Sequence, residues 1–273
     1  MLKLGLEYLS VFGLEPVAFI HLARDLGVSS VGLNMRGAAN ALSQPSDVGF
    51  KDSAERRRAI TQALRDTNMA LTLVEGISIT STSSVDDLAR DLDHLVEMGA
   101  ASICFVSVEK DRARSVAQFR QLTELAAARG ITTTTEVGAG VIRNLQAALD
   151  LAAAVDHADF GLLVDTMHFF RSGATVADFA AIDPTLIRHV QLCDVPMPAV
   201  IDSYMEEALF ERRAPGDGDL PLAELVGHIP AHTTIGLEIP IRSQAEQGLS
   251  HRQRLDCCVK KARELWLLKS NRE

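Results

Sequence analysis

The sequence predicts an α/β fold, a single-domain (β/α)8 TIM barrel over residues 1–273, and three observations predict it. The chain has 273 residues, close to the length such a barrel needs, about 250. Short apolar runs alternate with amphipathic segments eight times along it. No G-x-G-x-x-G turn follows an early run, as an open doubly wound sheet binding a dinucleotide would show.

The runs are LKLGLEY (2–8), SSVGLNM (29–35), ALTLVEG (70–76), SICFVSV (102–108), ITTTTEV (131–137), FGLLVDT (160–166), IRHVQLC (187–193) and TIGLEIP (234–240). Their starts lie 27 to 47 residues apart, the size of one strand–helix unit. Between them the helices announce their ends. EPVAFIHLARDLG carries Pro16 just inside its start and Gly27 just past its end. SVDDLARDLDHLVEMG reads as a helix capped by Ser84, acidic in its first turn and closed by Gly99. SVAQFRQLTELAAARG closes with Arg129 in the last turn and Gly130 beyond, and one helix over 244–268 ends the pattern. Strand then helix, repeated, requires parallel strands joined by helical crossovers.

Two links are longer than the rest, 36–51 after the second strand and 194–219 after the seventh. Both leave the carboxyl ends of strands, the face where a barrel carries its chemistry. The second is expected to form a loop or lid over that face.

Composition narrows the function. With 47% hydrophobic and 23% charged residues the chain is globular. A net charge of −9 argues against a nucleic-acid partner. No run is long enough to cross a membrane, and the opening residues, which include Glu7, make a poor signal peptide. Cys104, Cys193, Cys257 and Cys258 form no C-x-x-C pair and read as reduced, mostly buried thiols. A cytoplasmic protein is expected.

The later strands each end on one polar residue: Glu136, Asp165, Gln191 and Glu238. In a barrel they converge on one point at the rim. Three carboxylates packed together are costly unless a cation neutralises them, so a divalent metal site is expected. The stretch RHVQLCD (188–194) offers two inward side chains, His189 and Gln191. A strand rises about 3.3 Å per residue, which places Gln191 at the rim and His189 about 6.6 Å deeper, hydrogen-bonded inside the barrel. With Gln191 the donor set is all oxygen, which suits Mn²⁺ or Mg²⁺ best and leaves Co²⁺ and Zn²⁺ within reach. Glu7, Asn34, Glu75 and Lys110 also fall at or past strand ends and are weaker pocket candidates; Arg36 could meet a substrate anion, and Asp194 could anchor the loop that follows it.

At these residues the chain resembles the xylose-isomerase-like barrel superfamily, the sugar phosphate isomerase/epimerase group. VDTMHFFRSG (164–173), RHVQLCD, PGDGDLPL (215–222) and GLEIP (236–240) carry the resemblance. It implies a metal held by Glu136, Asp165, Gln191 and Glu238, although most relatives have histidine at the Gln191 position. It implies that Glu136 and Glu238 exchange a proton next to a substrate carbonyl, and that His168 and Arg212, or its neighbour Arg213, meet substrate oxygens. Asn34 and Glu75 join them as substrate-binding candidates. The first function expected is therefore a metal-dependent isomerase or epimerase of a sugar, keto-sugar or polyol. The alternative is a lyase like the related 3-dehydroshikimate dehydratases, which share the glutamine. A barrel that binds a metabolite without turnover, or serves as a subunit of a complex, is a third. The partner is a small molecule, and the resemblance implies a homo-oligomer.

Overall fold

The computed structural model describes residues 3–270 apart from residues 38, 41 and 43–47. Eight strands, β1 (Leu4–Glu7), β2 (Ser30–Asn34), β3 (Ala70–Ile79), β4 (Ser102–Ser107), β5 (Thr132–Glu136), β6 (Phe160–Asp165), β7 (Ile187–Leu192) and β8 (Thr234–Leu237), form one closed barrel in chain order. All pairings are parallel, and β8 closes onto β1 through Leu4–Ile235 and Leu6–Leu237. All eight apolar runs therefore hold a strand.

Around the barrel lie α1 (Pro16–Asp25), α2 (Ala54–Thr67), α3 (Ala89–Met98), α4 (Arg112–Ala127) and α5 (Leu145–Val155), then α6 (Thr166–Arg171), α7 (Val176–Ala180), α8 (Tyr204–Phe210), α9 (Leu222–His228), α10 (Arg242–Glu246) and α11 (His251–Ser270). Side-chain caps fix several starts: Ser53 accepts from Arg56 N, Asp111 from Arg114 N and Asn144 from Ala147 N. Apolar side chains such as Phe19, Phe119, Phe160 and Phe179 fill the layer between strands and helices. Phe119 of α4 meets Phe160 of β6 edge to face at 5.8 Å. Inside the barrel the apolar filling is small, a cluster of Leu73, Cys104 and Leu163.

Two helical expectations need correction. Ser84 does not cap α3; a 3-10 turn at Asp86–Leu88 precedes it, and α3 begins after Leu88 with no side-chain cap. The last helix is two. Gly248, at φ +86°, ends α10, and Ser250 with Gln253 forms a reciprocal cap that starts α11, with N–H contacts of 2.9 and 3.3 Å.

The long 194–219 link does cover the carboxyl face, with α8 standing over the barrel mouth. Asp194 anchors it as expected, its carboxylate accepting from the N–H groups of Val195, Gly216 and Leu220 at 2.9, 2.9 and 3.1 Å. Arg171 of α6 grips Glu207 of α8 with two hydrogen bonds, 3.0 and 2.8 Å, a bidentate pair that fixes orientation as well as position. On the other side Arg242 of α10 pairs with Glu206. Of the 36–51 link, residues 38, 41 and 43–47 lie outside the described part. Among the described residues no helix is long and apolar enough to cross a membrane. All four cysteines are free; Cys257 is exposed and the other three are buried.

Candidate active site

Two polar layers occupy the barrel interior. In the deeper one, Glu7 from β1 and His189 from β7 meet at 2.7 Å, both buried. Glycine makes the room. A Cβ on Gly32 of β2 would lie 1.6 Å from Glu7 Oε2, and one on Gly236 of β8 would lie 1.6 Å from Oε1. The carboxylate thus fills the space of two absent side chains, a close approach that only glycine permits. His189 is therefore the deep, hydrogen-bonded residue that strand geometry predicts.

The upper layer is built from Glu75 within β3, the ends of β5, β6 and β7, and the residue after β8. Gln191 of β7 sits between Asp165 of β6 and Gly236 of β8 in the ladder. Its Nε2 donates to Glu238 at 3.1 Å and to Glu75 at 3.3 Å. Its Oε1 is buried and has no hydrogen-bond partner among the described residues. Asp165 caps α6 by accepting from His168 N at 2.9 Å, so one carboxylate starts a helix and faces the site at once. Glu136 ends β5 after Thr134 and Thr135, whose hydroxyls are turned back to β4 carbonyls at 3.5 and 3.1 Å. That leaves the carboxylate as the polar group aimed at the site.

Arg212 crosses this layer. It is 1% exposed; its Nη1 donates to Asp165 Oδ2 and lies 2.9 Å from Glu238 Oε2. Its Nε donates to Ala208 O of α8 at 2.8 Å. The guanidinium therefore occupies the position between two of the carboxylates expected to hold a metal. One positive group stands among four carboxylates, Glu75, Glu136, Asp165 and Glu238. The consequences follow from burial and charge. Burial and the neighbouring acids hold Glu136 and Glu238 well above the usual carboxylate range, although Arg212 pulls in the opposite direction. Burial, then the Glu7 carboxylate, pushes Glu75 up to about 8. Burial would raise Asp165 too, but Arg212 and His168 together outweigh it and its pKa falls below the usual value. Burial, assisted by Arg212, holds His168 below its ordinary range.

His168, in the first turn of α6, links the layer to the lid. Its Nε2 lies 3.5 Å from Glu136 Oε1, and its Nδ1 is hydrogen-bonded to the Tyr204 hydroxyl of α8. Among the described residues, Glu136, Asp165 and His168 bring one ligand atom each within 4.8 Å of one another.

All of this opens into one cavity of about 520 Å³ lined by Glu75, Glu136, Glu238, His168, Arg212 and Asn34, among others. The structure thus gathers His168, Arg212, Glu75 and Asn34 at the cavity and leaves Arg213 outside it. That side chain is exposed and donates to Asp217 O at 3.1 Å; consecutive residues of an extended segment point to opposite sides, and Arg212 takes the inward one. Lys110 is also elsewhere. It lines a separate crevice of about 250 Å³ with Glu109, Arg112 and Asp150. Arg36 is exposed and donates to Gly76 O at 2.7 Å, and it does not line the cavity. Tyr204 and Tyr8, the only two tyrosines of the chain, do line it and were not anticipated. An aromatic beside two acids in the lid segment YMEE was the one available signal for Tyr204.

A family model described as xylose isomerase-like TIM barrel matches residues 20–257. No curated protein matches the sequence. Solved structures of similar shape include a xylose isomerase-like TIM barrel/4-hydroxyphenylpyruvate dioxygenase fusion protein, with TM-score 0.75, 20% identity and 98% of this chain covered; this chain spans 42% of that protein. A D-psicose 3-epimerase with D-tagatose from Clostridium cellulolyticum H10 gives 0.74 at 15% identity, covering 97% of this chain and 99% of the other. A probable 3-DHS dehydratase involved in petrobactin synthesis from Bacillus anthracis gives 0.73 at 16% identity, covering 95% and 98%.

Proposed function

The chain belongs to the xylose isomerase-like TIM barrel family, and from that premise we propose that it is a divalent-metal-dependent isomerase or epimerase of a neutral sugar, keto-sugar or polyol. One observation carries the reading: Glu136 and Glu238, from the ends of β5 and β8, face the same cavity. These strands are three apart in a ring of eight, so a carbon held between the two carboxylates can be approached from either side. One carboxylate takes the proton next to the substrate carbonyl, and the other supplies one to the opposite face.

The residues fit a divalent cation. Among the described residues four carboxylates share one guanidinium, and Gln191 keeps a buried oxygen without a partner. Glu136, Asp165, Gln191 and Glu238 would hold the ion, with His168 beside them. Oxygen donors favour Mn²⁺ or Mg²⁺, and the neighbouring imidazole leaves Co²⁺ and Zn²⁺ within reach. Such an ion would polarise the carbonyl and stabilise negative charge on its oxygen. His168, held neutral at pH 7 by its burial, is placed to hydrogen-bond a substrate oxygen while Tyr204 orients its ring.

The same site supports a second reading, a lyase of the dehydratase type, since that reaction also begins with proton abstraction beside a carbonyl. The charge pattern favours the isomerase. Among the described residues the cavity lining contains one guanidinium and no lysine, and Arg212 is already engaged by Asp165 and Glu238. A substrate carboxylate or phosphate would find no uncommitted cationic side chain among the described residues of the lining. Incubating the Mn²⁺-supplied protein with keto-sugars in deuterated water tests this directly. Solvent deuterium at the carbon next to the carbonyl of an isomeric product supports the proposal. Loss of water to a conjugated enone from 3-dehydroshikimate would transfer the site to the lyase reading, and inertness toward both would leave a metabolite-binding barrel.

A further inference from the structure

The cavity divides by chemistry. Its floor is the carboxylate layer with Arg212. Its walls are mostly apolar: Leu9 after β1, Val106 and Val108 at the end of β4, and Met205 and Leu209 on α8, with Ser78 of β3 beside Val106. The polar groups among these walls are mostly occupied. Tyr8 donates its hydroxyl to Leu14 O, Tyr204 is bound to His168, and Asn34 Oδ1 accepts from Arg36 N at 3.0 Å. At the mouth, Val108 is 52% and Met205 57% exposed, so both present carbon to solvent on either side of the entrance.

A simple sugar suits the floor and not the walls. It carries a hydroxyl on nearly every carbon, and a hydroxyl taken out of water against Val106 and Leu209 loses its hydrogen bonds. The volume is also generous. About 520 Å³ falls among pockets that bury drug-sized ligands, about 300–1,000 Å³, and exceeds the needs of a keto-sugar of five or six carbons.

The geometry points to a substrate with two unlike ends: a hydroxy-ketone head seated on the carboxylate floor, joined to an uncharged apolar body, alkyl or aryl, that lies along Leu9, Val106 and Leu209 toward Val108 and Met205. This narrows the substrate class of the isomerase reading and rests on it for the head group. The apolar body stands on the wall residues alone.

Calorimetric titration of the full chain, with and without Mn²⁺, tests the inference. The probes are 1-hydroxy-2-ketones whose alkyl chain lengthens from ethyl to heptyl, with an unsubstituted keto-hexose as the polar comparison. The dissociation constant falls about three- to fourfold for each methylene that reaches the walls, and the longer ketones bind more tightly than the hexose. Met205→Asp and Val108→Asp, at exposed positions that tolerate charge, flatten that gradient. A flat or rising series, a hexose that outbinds every ketone, or no binding by any member overturns the inference. Deuterium incorporation beside the carbonyl, measured on the same samples by mass spectrometry, reports separately on the chemistry. A binding gradient without exchange keeps the apolar body and refutes the isomerase reading. Exchange without a gradient does the reverse.

Discussion

The two polar layers inside the barrel lie one inward-facing step apart on β7, at His189 and at Gln191, and they are balanced differently. In the deeper layer one acid meets one imidazole, Glu7 with His189 at 2.7 Å, and two glycines shape the space around it. In the upper layer four carboxylates meet one guanidinium. The deeper layer pairs one acid with one imidazole and is sealed from solvent, which suits a structural role, although Glu7 Oε2 has no hydrogen-bond partner among the described residues. The upper layer is left short of positive charge, and it opens into a cavity. A stable fold gains nothing from that shortage, since unpaired buried carboxylates cost free energy. The crowding of several acids around one base therefore separates packing from function more clearly than burial does.

The largest expected effect tests the upper layer. Glu136→Gln keeps the shape and removes the base, so exchange of the substrate proton slows by about 10²–10⁴-fold. The melting temperature holds or rises, because a neutral amide replaces a carboxyl whose charged form burial disfavours. Unaltered exchange, followed by mass spectrometry in deuterated water, would falsify the role given to Glu136.

Arg212→Met comes next. Removing one partner of a buried charge cluster costs about 3–5 kcal/mol, read by chemical denaturation of the metal-free protein. Because the guanidinium lies between Asp165 and Glu238, its loss also leaves those oxygens open to a cation. Mn²⁺ then raises the melting temperature of the variant more than that of the wild type. An equal Mn²⁺ shift in both proteins would mean that ion and arginine do not compete.

Gly32→Ala probes the deeper layer. The added methyl meets Glu7 Oε2 at 1.6 Å, and overpacking of this kind costs about 1–3 kcal/mol. The loss appears in denaturation midpoints, while Mn²⁺ affinity measured by calorimetry changes little. A collapse of Mn²⁺ affinity at unchanged stability would show that the layers are not separate.

The smallest effect is on pH dependence. Glu75, Glu136 and Glu238 have raised pKa values in the folded, metal-free protein. The folded state therefore binds more protons than the unfolded chain above the ordinary value, and stability declines as pH rises. For Glu75 the window runs from its ordinary 4.5 to about 8. Mn²⁺, whose binding displaces protons from its carboxylate ligands, flattens the decline. Melts of chelator-treated and Mn²⁺-supplied protein across that range decide the matter; stability that rises with pH in the chelated sample would contradict the charge balance described here.

Much of this was legible in the sequence for a simple reason. Strand alternation and barrel closure are local, repetitive rules, so eight apolar runs placed eight strands, and the residue ending each run fell at the rim. The height difference between His189 and Gln191 follows from the rise of one strand. The broken last helix was less visible because Gly248 and Ser250 had to be read as an end followed immediately by a new cap. Arg212 and Arg213 could not be separated, since choosing between neighbours requires knowing which side of an irregular loop faces inward.

What the sequence by itself determined is the periodic part: the barrel, its order, and the set Glu136, Asp165, Gln191 and Glu238 at one end. What only the tertiary structure decided is the pairing across the barrel. Glu7 meets His189, residues 182 positions apart, because Gly32 and Gly236 from two other strands leave the space. Arg212 lies among the carboxylates because α8 and its anchors carry it there, and Tyr204 reaches His168 by the same route. Those contacts depend on distances between segments remote in the chain, and no local spacing encodes such distances.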